Sequence, residues 1–207
     1  KPIIGMIHLA GASPEEKLNR AMEEIELYDQ EGVDGAIIED YHGTEADVYR
    51  AFRLSASKNL RIVKGVNMLQ DPYKSFEMAH EFGAKFLQFD SIQKYDLDTI
   101  FYGIMREKHP DICVLGGVGF KYQRATESPL EDNIRDGQSR CEAIVTTGPA
   151  TGVETPLNKL KQYKNLLPNF PLIVGAGVNI SNVLEQLRVA DGAIIGTYFK
   201  SEGNTQM

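Results

Sequence analysis

Charged and polar side chains recur in this chain where short apolar runs end. Glu39 closes Ala36-Ile37-Ile38, Asp90 closes FLQFD, and Lys121 follows Gly116-Gly117-Val118-Gly119. Asn67 ends GVN, His8 sits in GMIHL, and Thr146-Thr147 ends EAIVTT. A carboxylate at such a junction suits a general acid or base, and its ordinary alternative is a solvated loop carboxylate or a helix-cap neighbour. Both readings apply to Glu39 and to Asp90. Lys121 offers a Schiff-base nucleophile, a phosphate contact or an exposed cation. Its place beyond the run, rather than within it, favours electrostatic contact. Glu39, Asp90 and Lys121 are the catalytic candidates. His8 reads as a ligand, an acid–base group or a hydrogen-bonded core imidazole. Asn67 and Thr147 suit the orienting of a ligand's hydroxyls or carbonyl. His42, His80 and His109 read as loop or helix-surface residues.

Two further runs, PLIVGAGV and DGAIIGTYFK, end in glycine with a helix-like stretch between them. Glycine lets backbone N–H groups approach an anion closely. Gly175, Ala176, Gly177, Gly196 and Thr197 are therefore candidate phosphate-binding residues. A helix over 179–189 would aim its N-terminal dipole at the same anion. The competing reading is a tight turn at 175–177 and close packing at Gly196.

These residues need a scaffold that gathers strand ends on one face. Apolar runs predict strands at 3–9, 35–40, 61–68, 85–90, 112–118, 142–147, 171–175 and 192–196. Helical stretches alternate with them. The clearest is 14–31, with Ser13 as N-cap, Pro14 at N1, Glu16 at N3 and Gly32 as the stop. Asp71 and Pro72 predict the start of another, ending before Gly83, and Thr155-Pro156 opens one running to about Leu167. Eight strand–helix units predict a (β/α)8 TIM barrel as a single domain over 1–207, and its loops after strands 7 and 8 commonly bind phosphate. An open doubly wound sheet would carry GxGxxG after the first strand, which GMIHLAGASP does not match. SEGNTQM is too short for a closing eighth helix, so that helix is expected to be absent.

Composition removes other classes. A net charge of −7 with no basic stripe argues against a nucleic-acid partner. No apolar run approaches the roughly 20 residues of a transmembrane segment, and no signal peptide is visible, which makes cytoplasm the default. Cys113 and Cys141 lack CxxC spacing and read as core thiols in a reducing compartment. Glu39, Asp90 and His8 could converge on an ion, but no HExxH or HxH spacing supports a metal, and none is expected. Nothing demands a cofactor, and no nucleophile elbow is present. Homo-oligomerisation is a base-rate expectation.

KPIIGMIHL, VDGAIIEDY, GVNML, GVGFKYQ, EAIVTTGPATG, PLIVGAGVNISNV and ADGAIIGTYFK, in this order, resemble the BtpA family. The resemblance implies a barrel related to the ribulose-phosphate-binding superfamily and supports the phosphate site. It supplies no mechanism: the family takes its name from a role in photosystem I biogenesis, while relatives look like sugar-metabolism proteins. Glu39, Asn67, Lys121, Thr147 and the Gly175–Gly177 loop match its polar strand ends. Departures from it include the short AGASP after strand 1 and Asp40 where the family usually has Asn. Two functions follow as expectations. One is an isomerase, epimerase or aldolase-type enzyme acting on a phosphorylated sugar or nucleotide-like metabolite. The other is a non-catalytic assembly or regulatory factor that keeps an old pocket.

Overall fold

Short aliphatic runs, each ending at a polar residue or glycine, form eight parallel strands that close on themselves in the order β1 to β8. They are β1 (Ile3–Ile7), β2 (Gly35–Glu39), β3 (Val63–Asn67), β4 (Phe86–Phe89), β5 (Cys113–Gly117), β6 (Ala143–Thr147), β7 (Leu172–Gly175) and β8 (Gly192–Ile195). The computed structural model describes residues 1–123 and 127–200. Among the described residues seven α-helices alternate with the strands: α1 (Pro14–Gln30), α2 (Glu45–Ala56), α3 (Lys74–Phe82), α4 (Thr99–Lys108), α5 (Leu130–Gln138), α6 (Leu157–Leu166) and α7 (Val183–Val189). This is the (β/α)8 TIM barrel. Among the described residues, a short 3-10 turn, Thr197–Phe199, follows β8. The expectation about a closing eighth helix falls on residues 201–207, outside the described ones. No helix among the described residues is long and apolar enough to cross a membrane.

The helix starts show where local sequence rules hold. Ser13 caps α1 by accepting from the Glu16 N–H at 3.1 Å, and Glu16 accepts in return from the Ala12 N–H at 2.8 Å. Three starts differ from expectation. Helix α3 begins at Lys74 rather than Pro72, because 71–74 closes a turn in which the Asp71 carbonyl accepts from the Lys74 N–H. Helix α6 begins at Leu157, and Thr155 spends its hydroxyl on the Gly175 carbonyl at 2.6 Å. Helix α7 begins only at Val183, since the Asn182 amide accepts from the Asn179 N–H and donates to the Gly177 carbonyl. Asn favours such local bonds over helix, so a turn fills 179–182.

Alternation along the strands sorts apolar side chains into two clusters. Ile7, Ile38, Val66, Leu87, Val114, Ile144 and Val174 pack outward against helix residues such as Ile25, Phe52, Phe76 and Leu160. Ile4, Met6, Ile37, Phe86, Leu115, Val145, Ile173 and Ile194 form a second cluster that plugs the barrel. A Cβ on Gly65 would lie 2.3 Å from the Phe86 ring, so glycine there gives the ring its place in the plug. His109, read as a surface residue, is buried beside the Phe76 and His80 rings, because the chain turns inward after α4.

Candidate active site

Continuing the inward parity toward the C-terminal ends of the strands gives His8, Glu39, Asn67, Gln88, Asp90, Thr147, Gly175 and Gly196. The fold thus turns polar strand ends into one ring above the apolar plug. A cleft opens there, lined by His8, Glu39, Gln88, Lys121, Thr147, Gly175, Ala176, Gly177, Gly196 and Thr197, with Tyr41 and Tyr198 among its other walls. Asn67 and Asp90 are not in that lining. They border an adjoining depression with Tyr73 and Asp96.

Glu39 is the acid that lines the cleft. Its residue is 7% exposed, and burial first, then the negative charge of Asp90, pushes its carboxyl up to about 8. Asn67 donates to Glu39 Oε2 and to Asp90 Oδ1, both at 3.1 Å. Gln88 donates from Nε2 to the same Asp90 oxygen at 2.8 Å. Asn67 therefore uses both amide protons on carboxyl groups and braces Glu39 against Asp90. Sequence reading missed Gln88, although its place two residues before Asp90 in FLQFD put it on the same strand face.

Lys121 stands at the cleft wall with its Nζ 4.8 Å from the Phe120 ring centroid. Its ammonium makes no hydrogen bond or ion pair among the described residues. Thr147 fixes the backbone behind it: Oγ1 accepts from the Lys121 N–H at 2.6 Å and donates to the Gly148 carbonyl at 2.9 Å. The Thr147 hydroxyl thus braces the lysine's backbone from a position on the cleft wall.

His8 carries an imidazole pushed down to about 3, by burial first and then by the positive charges of Lys200, His42 and Lys121. It is neutral at ordinary pH. Lys200, a second residue that sequence reading missed, is buried nearby and donates to the Met6 carbonyl at 2.8 Å and to Glu24 at 2.5 Å.

The glycine loops line the cleft as expected, but one of the reasons differs. Ala176 and Gly177 have φ of 62° and 63°, an uncommon backbone region for the alanine. A Cβ on Gly177 would lie 2.3 Å from the Glu154 backbone nitrogen, so this glycine lets the loop after β7 lie against the loop after β6. No helix dipole starts beside it, because α7 begins at Val183 and has 7 residues. The Gly177 and Thr197 backbone N–H groups have no hydrogen-bond partner among the described residues. Gly177→Ala is expected to cost about 1–3 kcal/mol, read from the urea midpoint. Gly32→Ala, at a φ of 76° but in open space, should cost less. Equal losses would mean that backbone strain alone sets the requirement at Gly177.

Among the described residues no group of three or more His, Cys, Asp or Glu is placed to hold a metal ion. The groups that converge are one protonatable carboxyl, one neutral imidazole, one unpaired ammonium and the two loop N–H groups. That set can bind an anion and move a proton a short distance away.

The family model described as the BtpA family matches residues 1–207. The chain belongs to the BtpA family. An uncharacterized protein of Pyrococcus abyssi is 29% identical over 235 residues, covering 99% of this chain and 90% of that protein. The photosystem I biogenesis protein BtpA of Synechocystis is 25% identical, covering 98% of this chain and 82% of that protein. Among solved structures, phosphoribosyl anthranilate isomerase from Thermococcus kodakaraensis superposes with a TM-score of 0.66 over 99% of this chain and 92% of that one. At 13% identity that likeness shows the fold alone.

Proposed function

We propose that this BtpA-family barrel is an enzyme that binds a phosphorylated sugar or nucleotide-like metabolite and moves a proton beside its carbonyl or hemiacetal carbon. The observation that carries the reading is the placing of Glu39, its carboxyl held up at about 8, in one cleft with the Lys121 ammonium and the loops after β7 and β8. The Lys121 ammonium and the Gly177 and Thr197 N–H groups hold the phosphate, a task suited to oriented backbone donors beside a cation. Glu39 enters the reaction protonated and serves first as general acid toward the carbonyl or ring oxygen. Asp90 and Asn67 set its position and its proton affinity. The name of the Thermococcus isomerase is in keeping with such chemistry on this fold.

A thermal-shift series with sugar phosphates, nucleotides and their dephosphorylated counterparts tests the reading. Phosphorylated compounds should raise the midpoint, by about 2.7 kcal/mol of stabilisation at a hundredfold excess over Kd, and dephosphorylated ones should not. Lys121→Ala should lose most of that shift.

The second reading is a non-catalytic assembly factor. It is favoured by the name of the Synechocystis relative and by the exposed Ile100 and Ile104 on α4, at 77% and 53%. No shift with any phosphorylated compound would favour it.

A further inference from the structure

Gln88 is 3% exposed and lines the cleft beside Glu39. Its amide orientation is fixed by chemistry: Asp90 Oδ1 accepts, so the group facing it must be the Nε2 donor. That leaves Gln88 Oε1 on the other side, buried and with no hydrogen-bond partner. A buried acceptor left unmet is costly and uncommon; the Gln93 and Gln186 side-chain oxygens are unmet as well, but of the three glutamines Gln88 is the one that lines the cleft with Glu39. The contact to Asp90 sharpens the effect, since an amide that donates to a carboxylate has a more electron-rich, better accepting oxygen. Gln88 lines the cleft, so an acceptor backed by a negative charge lies just behind its inner wall, and a ligand meets it where that wall gives way.

We infer that Gln88 selects the ligand: its amide oxygen accepts a hydrogen bond from a ligand hydroxyl, which commits the site to polyhydroxylated phosphate esters and disfavours phosphorylated carboxylic acids. This rests on the phosphate reading above and deepens it. A hydroxyl can donate to Gln88 Oε1. A ligand carboxylate would instead set its negative charge against an acceptor oxygen, with Asp90 behind it. A site built around such an unmet acceptor also discriminates against a ligand lacking the donor, because binding then leaves the oxygen unpaired.

Isothermal titration of the full chain with inorganic phosphate, ribose 5-phosphate, its 2-deoxy and 3-deoxy analogues, and 2-phosphoglycolate tests this. The wild type should favour ribose 5-phosphate over at least one deoxy analogue, and over 2-phosphoglycolate, by about tenfold or more. In Gln88→Leu, and in the length-preserving Gln88→Met, the deoxy ratio should collapse to near one. Inorganic phosphate should bind both variants within about twofold of wild type, which also reports that they are folded. A ratio that survives in the variants overturns the inference. So does an equal loss for every ligand, which would mark Gln88 as merely ordering Asp90. Phosphate binding without any preference in the wild type overturns the Gln88 assignment and leaves the phosphate reading standing. No binding by any phosphorylated compound, inorganic phosphate included, overturns both.

Discussion

Glu39→Gln is expected to lower turnover by about 10²- to 10⁴-fold and, at the same time, to stabilise the fold at alkaline pH. Both effects come from one cause. Burial and the neighbouring Asp90 raise the Glu39 carboxyl from 4.5 to about 8, so the folded protein holds a proton there that the unfolded chain releases. The sign follows from linkage. The stability that this proton contributes is fully present below about 4.5 and is lost as pH rises to about 8. A glutamine never ionises and is spared that loss. The variant should match wild type near pH 4 and melt roughly 5 °C or more higher near pH 8.5. Calorimetry at the two pH values measures this, and equal midpoints at both would mean that Glu39 is not held protonated by the fold. In the wild type, kcat should also fall as pH rises through about 8, since the acid form does the work; a rise there would assign Glu39 as a base instead.

Lys200→Met should be among the most destabilising single changes in the chain. The Lys200 side chain is 2% exposed and joins the exit from β8 to α1 through Glu24, with a further contact to the Tyr28 hydroxyl at 3.5 Å. Removing one partner of such a pair leaves the other charge poorly compensated, and costs about 3–5 kcal/mol where burial is complete. Glu24 keeps 27% exposure, so water recovers part of this and about 2–4 kcal/mol is expected. Burial already works against both charges, raising the Glu24 carboxyl and lowering the Lys200 ammonium. The double variant Lys200→Met/Glu24→Leu should therefore recover most of the loss, because a well-packed apolar pair avoids both desolvation costs. Urea unfolding of the three proteins checks this. Should the double variant be as unstable as Lys200→Met, the Met6 carbonyl contact, and not the ion pair, would be what secures β8.

Periodicity made the barrel legible. Each strand is an apolar run ending at a polar residue or glycine, and that end is where the fold collects its chemistry. The placing of Glu39, Lys121 and the 175–177 and 196–197 residues around one cleft follows from that pattern. What stayed hidden was direction and pairing. Gln88 sits inside an apolar word, FLQFD, and only the inward parity shared with Asp90 marks it. Asn67 and Thr147 look like ligand contacts in sequence, yet their partners are Glu39, Asp90 and the Lys121 backbone, all distant along the chain. Nothing in the run GTYFK marks Lys200 as a buried cation, because its partner on α1 lies 176 residues away. The late start of α7 was hidden for a local reason: Asn179 and Asn182 prefer bonds to their own turn over continuing a helix.

The apolar plug beneath Glu39 settles how traffic must run. Ile4, Ile37, Phe86 and Ile173 fill the barrel below the polar ring, so the cleft does not continue through the barrel floor. Whatever enters the cleft from the face that carries Tyr41 and Tyr198 leaves toward that face as well. If Glu39 lends a proton as proposed, that proton would be exchanged with water on the cleft side rather than through the floor, and a ligand bound in the cleft would slow that exchange.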